Sequence, residues 1–198
     1  MKRIVVFGAG GRAGRRVVAE AASRGHQVTA AGRDTGDVTS ADDVARLAAG
    51  HDAVVNAAAR VDVPAETFFP AAARALVDGL RRAGVSRLVG VGIGTALQTA
   101  PGVAVHDAPD FPAPYRAFSL GHVAQLDVLR DADLDWLLLA PPPVVLDDAA
   151  PRTGRYRLGD TSVLPGEQAF SYADLAVAIV DQIETPTHHR TMVALGAV

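Results

Sequence analysis

The stretch that most constrains this chain runs from Lys2 to Arg15. Ile4-Val5-Val6-Phe7 is a short unbroken apolar run, which suits a strand buried on both faces of a parallel sheet. It breaks into Gly8-Ala9-Gly10-Gly11 and then, from Arg12-Ala13-Gly14, into a helical pattern that continues through Val17, Val18, Ala21 and Ala22. Strand, glycine turn and helix in that order expose bare backbone N–H groups at the positive end of a helix, where a pyrophosphate can sit. A Cβ in the turn would hold the phosphate away. The glycines read in two registers: Gly8, Gly10 and Ala13 fit G-x-G-x-x-A, while Gly8, Gly11 and Gly14 fit G-x-x-G-x-x-G.

Beyond that start, apolar strand-like segments alternate with amphipathic ones. The spacing predicts strands over 27–31, 52–56, 86–91 and 135–140, with helices from Ser40 to Leu47, from Pro64 to Ala83, from about Tyr115 to Arg130, and after Ser171. The alternation gives an α/β fold: a doubly wound, mostly parallel Rossmann sheet in a single domain over 1–198. Residues 142–198 are expected to form a small C-terminal extension on the substrate side, with 151–168 as extended segments and turns outside the Rossmann core. Arg33 to Val38 is too short for a loop and a full strand, so the next edge strand is expected to be missing or vestigial.

The second strand ends at Gly32-Arg33. In dinucleotide-binding folds this tip meets the adenosine ribose, where an acid prefers NAD and an arginine accommodates the 2′-phosphate of NADP. Arg33, with Arg12 from the glycine turn, therefore points to NADP, with NAD as the alternative. Asp37 and Val38 follow on the adenine side. The strand after them ends in Asn56-Ala57-Ala58, small residues that let the backbone approach a cofactor closely. These positions and Gly8, Gly10, Gly11, Ala13 and Gly14 make up the expected cofactor site.

Composition narrows the rest. A net charge of −3 implies no large cationic surface and argues against nucleic-acid binding. The chain has no cysteine, which excludes disulfides, thiolate catalysis and cysteine-based zinc sites. His188-His189 are adjacent, a poor geometry for two ligands on one metal, so no metal is expected. No apolar run is long enough to span a bilayer, and the start lacks the long apolar segment of a signal peptide, so no leader is expected. The expectation is a cytoplasmic monomer or homodimer that acts on a small-molecule substrate.

Several stretches together resemble one family. They are Gly8 to Gly14, Gly50-His51-Asp52-Ala53-Val54-Val55, Ala108-Pro109-Asp110-Phe111-Pro112-Ala113-Pro114-Tyr115, Leu134-Asp135-Trp136, Arg152 to Gly159, and Ser171-Tyr172-x-Asp174-x-Ala176-x-Ala178. They are similar to the NAD(P)H-binding, NmrA-like atypical short-chain dehydrogenases, and most to the subset known as NADH-flavin reductases. The resemblance covers nearly the whole chain. It implies a Rossmann domain, a nicotinamide cofactor and often a small or flavin-like acceptor. Two departures stand out: the shortened region after the second strand, and Gly92-Ile93-Gly94-Thr95 in place of a more glycine- and serine-rich stretch.

The standard short-chain dehydrogenase pairs Tyr with a Lys four residues on. Here Tyr115 is followed at that distance by Ser119, so an alcohol dehydrogenase mechanism is not supported. A helical wheel puts Tyr115, Phe118, Ser119 and His122 on one inward face, making Tyr115 and His122 the candidate catalytic groups. The substrate is expected between the loop after Val91, the proline-rich loop over 98–114, and the segment from Pro142 to Leu158. Phe111, Phe118 and Tyr156 are the expected apolar walls, with Thr95 as a polar contact. Three functions fit: an NADP(H)-dependent oxidoreductase, a non-catalytic NADP-sensing regulator, and a biosynthetic isomerase or dehydratase using Tyr115 and His122 as acid and base.

Overall fold

A computed structural model describes residues 1–143, 146–166 and 169–198. Residues 144–145, within the segment expected to cover the substrate, and 167–168, at the end of the 151–168 stretch, lie outside the described residues.

The elements follow in order: β1 (Arg3–Phe7), α1 (Arg12–Ser23), β2 (Gln27–Ala31), α2 (Ala41–Ala48), β3 (Ala53–Asn56), α3 (Ala65–Ala83), β4 (Arg87–Val91), β5 (Gln98–Ala100), β6 (Val103–Ala104), α4 (Ala113–Arg130), β7 (Asp135–Ala140), β8 (Arg157–Leu158), α5 (Tyr172–Glu184) and β9 (Thr191–Gly196). Seven strands form one sheet in the order β2-β1-β3-β4-β7-β9-β8. Every pairing is parallel except β8 with β9. This is the doubly wound Rossmann arrangement. The sheet has β2 at its edge, with no further strand beyond it among the described residues. After β2 the chain turns through Gly32 and Thr35 and goes directly to the cap of α2.

The apolar strands are buried twice over. Alternation sends Val5, Phe7, Val54, Leu88, Trp136 and Leu138 to the face covered by α2, α3 and α4. It sends Ile4, Val6, Val55, Val89, Leu137 and Leu139 to the face covered by α1 and α5. This is why the strands read as continuous hydrophobic runs. Local chemistry sets the helix starts. Ser40 Oγ accepts from Asp43 N at 3.3 Å, and Ser171 Oγ accepts from Asp174 N at 2.9 Å. Each cap also puts a carboxylate in the first turn, where the helix dipole favours it. α4 starts at Ala113, ahead of Tyr115, because Pro112 and Pro114 suit a first turn that lacks N–H partners anyway.

One expectation is corrected here. Arg157 and Leu158 are not outside the sheet. They pair antiparallel with Gly196 and Leu195 and close the edge that β9 would otherwise present. An ion-pair network ties the preceding residues to α1 and α5. Glu20, whose side chain is 8 % exposed, bonds Arg152 through Nε and Nη2, both at 2.8 Å, and Arg24 at 2.8 Å. Arg24 continues to Asp181 at 2.6 Å and Glu184 at 2.7 Å. The hydrogen bond from Arg152, backed by Arg24, holds the Glu20 carboxyl down at about 2 against the opposing effect of burial.

Candidate cofactor site

The register levels the carboxyl ends of three strands: Phe7 lies opposite Ala31 of β2 and Asn56 of β3. β1 is the switch point, with β2 on one side and β3 on the other. Ligands of open α/β sheets bind in the crevice at such a point. The glycine turn shapes it. Gly8 has φ +77°, and a Cβ there would lie 2.6 Å from the backbone of Ala57 and Ala58. Its N–H donates to Ala31 O at 3.0 Å, and Gly11 N–H donates back to Gly8 O at 2.9 Å. A Cβ on Gly14 would come within 2.0 Å of Gly8 O, so this glycine lets α1 lie directly against the turn. Gly10 differs: a Cβ there would meet no atom within 4 Å.

The turn opens onto a cavity of about 550 Å³ lined by Gly8, Gly10, Gly11, Arg33, Asp37, Val38, Ala57 and Ala58 from the expected set. α1 begins with Gly11 at its N-cap, no side-chain cap and no acid in its first turn. α2 and α5 satisfy that end with a serine cap, whereas α1, like α3 and α4, has no side-chain cap, and at α1 the uncapped end adjoins the cavity through Gly10 and Gly11. Room at Gly10 and an uncapped helix fit a dinucleotide's pyrophosphate. Of the other expected residues, Arg12 is exposed at the start of α1, Ala13 is half-buried against the α1/α5 core, and Gly14 serves packing. Asn56 is buried, and its Oδ1 accepts from Ala58 N at 3.2 Å, which shapes the exit of β3.

Charged side chains also line the cavity. Asp37 Oδ1 accepts from the backbone N and the hydroxyl of Thr39, at 2.9 and 2.8 Å. Arg33 and Arg60 also line the cavity. Sequence reading missed Arg60, together with Gly36 and Phe68 in the lining. The signal for Arg60 was its place just after the small residues of β3. It becomes meaningful only once β3 is known to adjoin β1.

The expected substrate groups are more dispersed. Thr95 sits in a 3-10 turn (Gly94–Ala96) after β4, and its Oγ1 is 2.6 Å from Ser119 Oγ. A Cβ on Gly94 would press on the backbone of Pro141, Pro142 and Pro143, so the loops after β4 and β7 touch. His106, which sequence reading passed over, binds Thr95 O through Nδ1 at 2.8 Å. Arg116 ties the proline-rich loop to α4 by donating to the carbonyls of His106, Ala108 and Phe111.

Four expectations are corrected by this placement. Tyr115 is 68 % exposed in the first turn of α4 and does not face inward with His122. His122 is inward but faces α3: its ring stacks 3.8 Å from Phe69, and Nδ1 pairs with Gln125 Oε1 at 3.1 Å. Burial pushes its pKa down to about 4, the Gln125 hydrogen bond opposing this only in part. Phe118 packs edge-on against Phe69 at 5.3 Å, and Arg116 lies over the ring of Phe111, so both aromatics fasten the loop and helix. Tyr156 is on the opposite face of the sheet, where its hydroxyl donates to Asp181 at 2.6 Å. Among the described residues no cluster of His, Asp or Glu could hold a metal ion. No helix there is long and apolar enough to cross a membrane.

The profile of the NAD(P)H-binding family matches residues 34–186. The uncharacterized protein YwnB of Bacillus subtilis strain 168 is 35% identical over 202 residues, covering 94% of each chain. A Burkholderia pseudomallei structure, provisionally named an exported protein, is 37% identical with a TM-score of 0.90 and full coverage of both chains. A Streptococcus pneumoniae structure, provisionally named an NADH-flavin reductase, is 24% identical with a TM-score of 0.82 and full coverage of both chains. The chain belongs to the NAD(P)H-binding family.

Proposed function

We propose that the protein is an NADP(H)-dependent oxidoreductase that passes hydride to a small organic, quinone or flavin-like acceptor. The observation that carries this reading is the uncapped start of α1, which opens through Gly10 onto a cavity that Arg33 and Arg60 also line. In this reading the first-turn N–H groups of α1 hold the pyrophosphate. Arg33 and Arg60 offer planar guanidinium forks at the ribose end, a better match for a 2′-phosphate than for a hydroxyl. The bound nicotinamide supplies the hydride. The chain positions it and excludes water.

The choice of acceptor rests on the start of α4. Ser119 stands where a short-chain dehydrogenase carries its lysine, Tyr115 is in solvent, and His122 is sealed against Phe69. Rings such as flavins and quinones, which can take protons from water after hydride transfer, fit this better than a carbonyl that needs a protein acid. Nicotinamide fluorescence titrations with NADPH and NADH test the cofactor, and absorbance-monitored oxidation with flavins, quinones and small enones tests the acceptor. Binding of neither nucleotide sinks the proposal; tighter binding of NADH sinks the NADP preference. The exposed Tyr115 also favours a second reading, a non-catalytic NADP-responsive regulator. Tight NADPH binding with no oxidation by any acceptor selects it. The isomerase or dehydratase reading loses its acid–base pair, because Tyr115 and His122 are not brought together.

A further inference from the structure

At the mouth of the cofactor cavity, two guanidinium groups from different loops share one carboxylate. Arg33 follows β2 and its side chain is 79 % exposed; Arg60 follows β3 and is 33 % exposed. Asp62 lies between them. Arg60 grips it as a fork, with Nε 2.9 Å from Oδ1 and Nη2 on Oδ2. Arg33 Nη1 stands 3.9 Å from the same Oδ2. The Arg60 hydrogen bond holds the Asp62 carboxyl at about 2, so it is charged throughout the neutral range.

The arrangement is unbalanced in a way that suits exchange. Two cations face a single carboxylate. Asp62 reaches the cavity only through Arg33 and Arg60, which line it; Asp37, the acid that lines it directly, is occupied by Thr39 and pulls on Arg60 only at longer range. Asp62 sits on a bend beside the fully exposed Val61, and its own side chain is about half exposed. A phosphate monoester brings nearly two negative charges and three acceptor oxygens to the same guanidinium groups.

We propose that Asp62 is a built-in stand-in for the 2′-phosphate of the adenosine ribose, holding Arg33 and Arg60 together until a 2′-phosphorylated nucleotide takes the pair over. This rests on reading the cavity as the adenosine end of an NADP(H) site. Asp62 is then a specificity-determining residue with a definite sign. A nucleotide without the 2′-phosphate leaves the carboxylate on Arg60, whereas one that carries it must displace the carboxylate. Removing the Asp62 charge therefore strengthens binding of the phosphorylated nucleotide alone. Loss of an ion pair that merely holds the loop would weaken both.

Isothermal titration of the full chain with adenosine 2′,5′-bisphosphate and with 5′-AMP tests this in wild type, Asp62→Asn and Arg60→Gln, with melting temperatures recorded for each. Asp62→Asn is expected to tighten the bisphosphate about two- to fivefold, the scale of an exposed ion pair, and leave 5′-AMP unchanged. Arg60→Gln is expected to weaken the bisphosphate roughly tenfold and spare 5′-AMP. Asp62→Asn binding the bisphosphate no more tightly than wild type, or shifting both nucleotides together, overturns the proposal. If wild type prefers the bisphosphate and neither variant changes that, the stand-in role fails while the NADP preference stands through Arg33. If wild type shows no preference but Asp62→Asn acquires one, the native NADP preference fails and the stand-in role holds. No preference in any of the three sinks both.

Discussion

Replacing His122 by Asn separates a packed histidine from a catalytic one. The ring is 8 % exposed between α3 and α4, and burial holds its pKa at about 4. In the unfolded chain the value is about 6.5. Between those two values the unfolded chain binds a proton that the folded chain does not. Stability is therefore fully present above about pH 6.5 and is lost as pH falls toward about 4. The full window is worth roughly 3 kcal/mol, of which about 2 kcal/mol is gone by about pH 5. Asn does not titrate, and its Nδ2 can replace Nδ1 as the donor to Gln125. Urea unfolding followed by circular dichroism at about pH 7.5 and about pH 5 reads the effect. Wild type is expected to lose about 2 kcal/mol more than the variant between those conditions. The variant's own loss from the missing ring cancels in that double difference. Equal losses would show that His122 titrates normally in place and refute the burial argument. Loss of turnover at neutral pH with NADPH affinity intact would refute the structural role itself.

Two glycine substitutions should part company. Gly10→Val is expected to fold with a wild-type melting temperature but lose NADPH binding, since its side chain enters only the cavity; Gly14→Ala, forced within 2.0 Å of Gly8 O, is expected to lose melting temperature and binding together. Glu20→Gln removes the buried charge between Arg24 and Arg152, and a loss of about 1–3 kcal/mol in urea unfolding near neutral pH is expected. The wild-type acid limb should carry the Glu20 contribution, present above about pH 4.5 and lost as pH falls to about 2, and the variant should lack it. Tyr156→Phe is expected to cost about 1 kcal/mol from the Asp181 hydrogen bond, with unchanged KM for any acceptor found, because its hydroxyl is on the α5 face.

How much was legible follows the range of the interactions. Ser40 and Ser171 announce α2 and α5 because a Ser-x-x-Asp cap is decided within four residues. The strand at 135–140 falls where its apolar run puts it, since burial on both faces leaves only its ends to be read, whereas the edge strand at 27–31 buries only Ala31. Arg60 and Asp62 were not legible, because their relation to Arg33 exists only through sheet order: β2 and β3 flank β1. The wheel put His122 inward correctly but could not say that inward meant Phe69 of α3 rather than the cavity. Tyr115 failed for a different reason. It lies in the first turn of α4, beyond the part of the helix that α3 covers, so the buried face has not yet begun. Tyr156 turned on strand alternation, where a shift of one residue exchanges the two faces of a sheet.

The loop after β4 shows what Ser119 does in place of a lysine. Its Oγ is buried, 2.8 Å from the carbonyl of Tyr115 one turn back and 2.6 Å from Thr95 Oγ1. The carbonyl can only accept, so the single Ser119 proton goes there, and the contact with Thr95 is made by the Thr95 proton. Thr95 thus turns lone pairs, not a proton, toward anything bound at the end of β4. His106 is committed in the same direction. Thr95 O can only accept, so Nδ1 of His106 carries a proton directed at it, with Nε2 3.6 Å from Asp107 Oδ1. Thr95 therefore faces this loop as an acceptor, and the Nδ1 proton of His106 is likewise spent inside the protein. A lysine at the Ser119 position would reverse that balance by adding donors and lowering the pKa of a neighbouring tyrosine. Its replacement by a buried serine removes the device for protonating an alkoxide. In the proposed reading this is why the acceptor is a ring that draws its proton from water, and why the cofactor end of the site is built more strongly than the acceptor end.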